Sequence, residues 1–119
     1  MTLHIFNPEH DIALASGLAN FTAPHAGRQL RHDLGWLPAL WAAGDEDAVL
    51  VDDVEKSARA ARRRKVAQPH FVTRRQLASL AIDRIEPWEW DAALCAQLLR
   101  DGIDERLMPS ADALEAVRL

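Results

Sequence analysis

The chain has 119 residues, 49% of them hydrophobic and 27% charged, the balance of a single folded domain rather than a disordered tail. Its formal net charge of -4 argues against non-specific affinity for nucleic acid or an anionic membrane, and no apolar run approaches the roughly 20 residues needed to span a bilayer. The lone Cys95 excludes a disulfide framework and the N-terminus carries no basic stretch leading into an apolar one, so a soluble cytoplasmic protein is expected.

Leu3 to Phe6 read as a short apolar strand that stops at Asn7-Pro8. Ala26, Leu30 and Leu34 then recur every four residues as on one helix face, with Gly35 as its end. Pro38 suits the first turn of a second, short helix running through Trp41 and Ala42 to Gly44. Ala48-Val-Leu-Val-Asp52 is a second buried strand. Strand, helix and strand in this order define a βαβ unit, with its two strands parallel and its crossover right-handed.

From Asp53 to Ala67 the chain is polar, Ala-rich and Arg-rich, which predicts a surface helix broken at Gln68-Pro69-His70. Thr73 is placed to cap a short helix carrying Leu77 and Leu80. A weaker third strand is expected over Leu80-Ala-Ile-Asp-Arg-Ile85, ending in Pro87-Trp-Glu-Trp-Asp91. Asp91 caps the next helix, which puts Leu94, Leu98 and Leu99 on one face and closes at Gly102. Ser110 caps a last helix, with Asp112 in its first turn and Leu114 and Val117 pointing inward. That helix reaches Leu119 with no stop signal, so the chain is expected to be the leading part, residues 1–119, of a longer protein. The fold class is α/β, a small mostly parallel Rossmann-like sheet with helices on both faces.

Candidate chemistry concentrates just past the first strand. Asn7, Glu9, His10 and Asp11 offer an amide, two carboxylates and an imidazole within five residues, at the carboxyl end of a strand, where open α/β sheets bind ligands. The plainer account is a turn at Asn7-Pro8 with Glu9 or Asp11 capping a following helix. Asn20, Thr22 and His25 form a second polar group ahead of the first long helix, suited to a carboxylate or phosphate at free amides or simply to capping by Thr22. No glycine-rich turn follows the first strand, so a dinucleotide site there is not expected. His4, His10, His25, His32 and His70 show no metal-ligand spacing, so no metal site is expected, and no GxSxG elbow is present.

Two further features concern partners. Arg59, Arg62, Arg63, Arg64 and Lys65, then Arg74 and Arg75, form a basic tract that reads as a solvated helix face, because no aromatic residues interleave to stack on bases. Trp36 and Trp41 are expected in the core. Trp88 and Trp90 alternate as on an extended segment, so at most one faces inward and the other is free for a missing domain or a second copy of the chain.

The opening Ile5-Phe-Asn-Pro-Glu-His-Asp-Ile-Ala-Leu-Ala15, the segment Asn20-Phe-Thr-Ala-Pro24 and the tail from Leu107-Met-Pro-Ser110 onward resemble the N-terminal portion of a group of uncharacterised bacterial proteins associated with the ATP-grasp superfamily. The resemblance implies a Rossmann-like pre-ATP-grasp domain that supplies part of the acceptor-substrate site, with ATP and Mg held by a downstream domain and no cofactor in this chain. It implies a small-molecule acceptor near Asn7, Glu9, His10, Asp11, Asn20, Thr22 and His25. His10 or Asp11 would position or deprotonate the acceptor, and Asn7 and Asn20 would orient it. The competing reading is a noncatalytic interaction module that docks through the basic tract or an exposed tryptophan.

Overall fold

The computed structural model describes residues 1–8, 29–30, 32–42, 46–64, 69–110 and 112–114. Four strands, β1 (Thr2–Ile5), β2 (Asp47–Leu50), β3 (His70–Val72) and β4 (Arg84–Pro87), form one sheet in the order β3-β2-β1-β4. All three pairings are parallel, with Leu3 opposite Ala48 on one side and Ile85 on the other. The βαβ reading of the first two strands therefore holds in its pairing. β2 and β3 are laid down outward on one side of β1, and the chain then crosses back to place β4 on the far side. The topology reverses between β1 and β4.

Side-chain alternation builds two layers. Leu3 and Ile5 with Ala48, Leu50, Val72 and Ile85 face one side, where Leu77, Leu94, Leu98 and Ile103 cover them. Val49, Val51 and Phe71 face the other side and meet Trp36, Ala39 and Ala61. Every residue of β2 is buried, as expected of an interior strand of a parallel sheet covered on both faces. The fold is a small α/β Rossmann-like sheet with helices on both faces.

Each helix has local reasons to form. Asp53 caps α1 (Val54–Arg63) by accepting from the Lys56 amide at 3.0 Å, and Arg62 and Arg63 oppose the negative end of its dipole. Its buried face is only Ser57 and Ala61, small side chains that let the helix lie close on the sheet. Asp91 caps α2 (Ala92–Arg100) by accepting from the Leu94 amide at 2.7 Å, and Leu94 and Leu98, four apart, enter the core. Gly102, at φ 91°, ends α2 as a Schellman motif: the amides of Gly102 and Ile103 donate back to the carbonyls of Leu99 and Leu98.

Three sequence expectations shift. α1 ends at Arg63 with Arg64 as its C-cap, ahead of the break expected at Gln68-Pro69-His70, of which Gln68 lies outside the described residues; His70 opens β3, which escapes pattern reading because it is three residues long and lies at a sheet edge. The strand expected over Leu80–Ile85 is displaced to Arg84–Pro87, while Leu80 and Ile82 pack beneath it as half-buried side chains. An edge strand accommodates Pro87 because the missing donor faces away from the ladder. Trp36 is in the core as expected, but Trp41 is 55% exposed. The Leu37–Leu40 segment is a 3₁₀ turn rather than an α-helix, burying Pro38 and Ala39 and leaving Trp41 just past its end.

The capping expectations for Thr73 and Ser110 hold: Thr73 and Gln76 form a capping box at a 3₁₀ helix (Arg74–Ser79), and the Ser110 hydroxyl accepts from the Ala113 amide at 3.1 Å. Cys95 is half-buried, and burial followed by the nearby Asp91 carboxylate pushes its thiol up. Among the described residues no helix is long and apolar enough to cross a membrane.

Candidate functional site

The carboxyl ends of β1 and β4 lie side by side at the point where the strand order reverses. Open α/β sheets leave a crevice there, because the connections on either side depart in opposite directions. Asn7 stands at the end of β1 and is 4% exposed. Its amide nitrogen donates to the Glu89 carbonyl at 2.7 Å, and its carbonyl oxygen accepts from the Glu89 amide at 3.2 Å. One side chain thus mimics a backbone rung and ties the segment after β1 to the segment after β4. Phe6 supports the same junction, meeting the Trp88 ring edge-on at 5.5 Å, and the Trp88 amide donates to the Ile5 carbonyl at 2.7 Å. Trp88 is 54% exposed while Trp90 packs on the core, which meets the expectation that at most one of the pair faces inward.

Asn7 is the one sequence candidate within the described residues. Glu9, His10, Asp11, Asn20, Thr22 and His25 lie outside them. The structure adds that both polar ends of Asn7 are engaged by Glu89, so this residue shapes the junction rather than presenting a free amide.

His4 shows no metal-ligand spacing in the sequence, and the fold gives it a different setting. β1 turns His4 to the side opposite Leu3 and Ile5, where it is 4% exposed between β2 and β4. Its Nε2 is 2.8 Å from Asp47 Oδ2, and its Nδ1 lies 3.7 Å from Glu86 Oε2 without a hydrogen bond. Glu86 is also paired with Arg84 at 2.8 Å. This polar bridge across the three strands, buried at His4 and Asp47 and open to solvent at Glu86, is visible only once their register is known. Among the described residues no group of three or more His, Cys, Asp or Glu side chains could hold a metal ion.

The basic tract divides in space. Arg59, Arg62, Arg63 and Arg64 are exposed along and just past α1, the solvated helix face expected. Arg74 and Arg75 sit instead beyond the end of β3, where the Arg74 guanidinium donates to both oxygens of Asp101 at 3.1 and 3.3 Å. Nearby, past the end of β2, His32 Nδ1 lies 3.4 Å from Asp52. Compared with known proteins, the chain matches no family model, no curated protein and no solved structure.

Proposed function

We propose that the chain is the substrate-side leading domain of an ATP-grasp-like ligase, binding a small-molecule acceptor at the β1/β4 junction and catalytically silent by itself. The observation that carries this reading is the strand order β3-β2-β1-β4, whose reversal lies where the opening polar motif leaves β1. The Asn7–Glu89 tether supports it by giving that junction a fixed shape. His10 or Asp11 then positions or deprotonates the acceptor, and Asn7 and Asn20 orient it. ATP and Mg belong to a downstream domain of the same protein, its second partner, and the lone cysteine suits a cytoplasmic setting.

The test starts with the native coding sequence past Leu119. A continuation carrying paired acidic metal ligands and a lysine-bearing strand supports the reading. In that longer protein His10→Ala and Asp11→Ala should each abolish ATP-dependent ligation while leaving the circular dichroism spectrum unchanged. Steady turnover of ATP by the 119-residue chain alone would overturn it. A second reading, an interaction module, is favoured by the exposure of Trp41 and Trp88. Under that reading the His10 and Asp11 variants do little, and loss of a bound partner follows Trp88→Ala or replacement of Arg62 to Arg64.

A further inference from the structure

A cavity of about 620 Å³ opens at the carboxyl edge of the sheet, past the ends of β2 and β3 and on the other side of β2 from the β1/β4 junction. Val51, Asp52, Thr73, Arg74, Arg75 and Asp101 line it. Two of these residues lock each other: Asp101, 11% exposed, grips Arg74 through two hydrogen bonds and is held in turn by the Gln97 amide at 3.3 and 3.4 Å. Arg75, the next residue, is exposed and makes no ion pair among the described residues. Among the described residues its guanidinium is the cation at this cavity whose donors no carboxylate has taken. Asp52 belongs to the same lining, with His32 Nδ1 3.4 Å from its carboxylate.

We infer that this cavity is a binding site for a small anionic metabolite, with Arg75 receiving its phosphate or carboxylate group and Asp52 accepting hydrogen bonds from its hydroxyl or ammonium donors. The planar guanidinium fork matches both anions in two-point geometry, which a lysine would not. The Arg74–Asp101 pair already displays that recognition within the fold. Because Arg74 is neutralised, the described lining offers one unpaired guanidinium rather than a diffuse basic patch. That charge arrangement favours a small ligand over nucleic acid, whose phosphates are bound through many cations at once. The carboxyl ends of parallel strands are open here for the same reason as at the junction, since the loops leave the sheet in this direction. This site is separate from the β1/β4 junction and does not depend on the ligase reading.

The test is a nuclear magnetic resonance titration of the full 119-residue chain, following backbone amides and arginine Nε–H signals, with inorganic phosphate in one arm and succinate in the other. The expected result is a saturable shift confined to Arg75, Thr73 and the amides around Asp52 in at least one arm. The arm that saturates tells a phosphorylated from a carboxylated ligand. Arg75→Ala should weaken that binding by about tenfold or more, as expected for loss of a hydrogen-bonded charge, and Arg75→Lys should restore only part of it. Arg63→Ala, exposed on α1 and outside the cavity, should leave it unchanged and serves as the control. No saturable shift in either arm, or equal shifts at Arg63 and Arg75, or shifts that persist in Arg75→Ala, would overturn the proposal. Arg75 is exposed, so its variants are not expected to disturb folding, and unchanged amide spectra away from the cavity will verify that.

Discussion

Asn7 shows how one side chain can do the work of a strand rung. Its two hydrogen bonds to the Glu89 backbone span the place where β1 and β4 part, and the Asn7 side chain is buried. Asn7→Ala should destabilise the chain by about 1–3 kcal/mol, the range for removing a partner from buried polar groups. Asn7→Asp should be at least as damaging, because a carboxylate oxygen would then face the Glu89 carbonyl; urea midpoints of the two variants give the comparison. Asp33 carries a pH-dependent contribution. The Gln29 amide and the Lys56 ammonium hold its carboxyl below the ordinary aspartate range. A lowered folded-state pKa means the stabilisation is present above the unfolded value of about 3.9 and lost as pH falls through the folded value. Asp33→Asn should therefore have a slightly lower urea midpoint than the parent near about pH 7, and the gap should close as pH falls through the lowered folded-state value of the Asp33 carboxyl. A constant gap across that range would remove the Asp33–Lys56 pair from the account.

The end of α2 is the element most dependent on a single residue type. Gly102 lies at φ 91°, and a Cβ there would sit 2.9 Å from the Ala78 Cβ. Gly102→Ala thus meets an unfavourable backbone region and a close contact together. It should cost about 1–3 kcal/mol, seen as a lower urea midpoint with an unchanged slope. The caps were legible beforehand for a related reason. Asp91, Thr73 and Gly102 act on amides and carbonyls within a few residues of themselves, so their roles are written in local sequence. β3 and the true bounds of β4 were not legible. A three-residue strand has too little alternation to read, and what makes His70–Val72 a strand is the edge of β2 beside it. Trp41 was misplaced because helix pitch decides which side chains turn inward, and Pro38 alone does not tell an α turn from a 3₁₀ turn.

At the scale of the whole molecule, the sheet separates two packing layers that share no buried member. Ile103 belongs to one and Phe71 to the other. Ile103→Val, expected to cost about 0.5–1.5 kcal/mol, and Phe71→Leu should therefore add in the double variant to within about 0.5 kcal/mol. A larger departure would mean that the layers communicate through the strands. The candidate sites also belong to this scale. The opening motif announces polar density after the first strand, but only the crossing of the chain from β3 back to β4 makes that end of β1 a junction. The cavity past β2 and β3 likewise joins Asp52, Arg75 and Asp101, residues far apart in sequence that no spacing rule connects.

By itself the amino-acid sequence determined the α/β class, two central strands, the parallel pairing of the first unit, and most helix caps, because apolar periodicity and capping chemistry operate over a few residues. Tertiary structure alone decided the strand order, the third strand, the polar bridge from Asp47 through the buried His4 toward Glu86, and the split of the arginine tract between a solvated helix and a cavity wall. Those depend on register and on which elements the chain folds back against, and such long-range choices are settled by burial of the whole sheet rather than by any one segment.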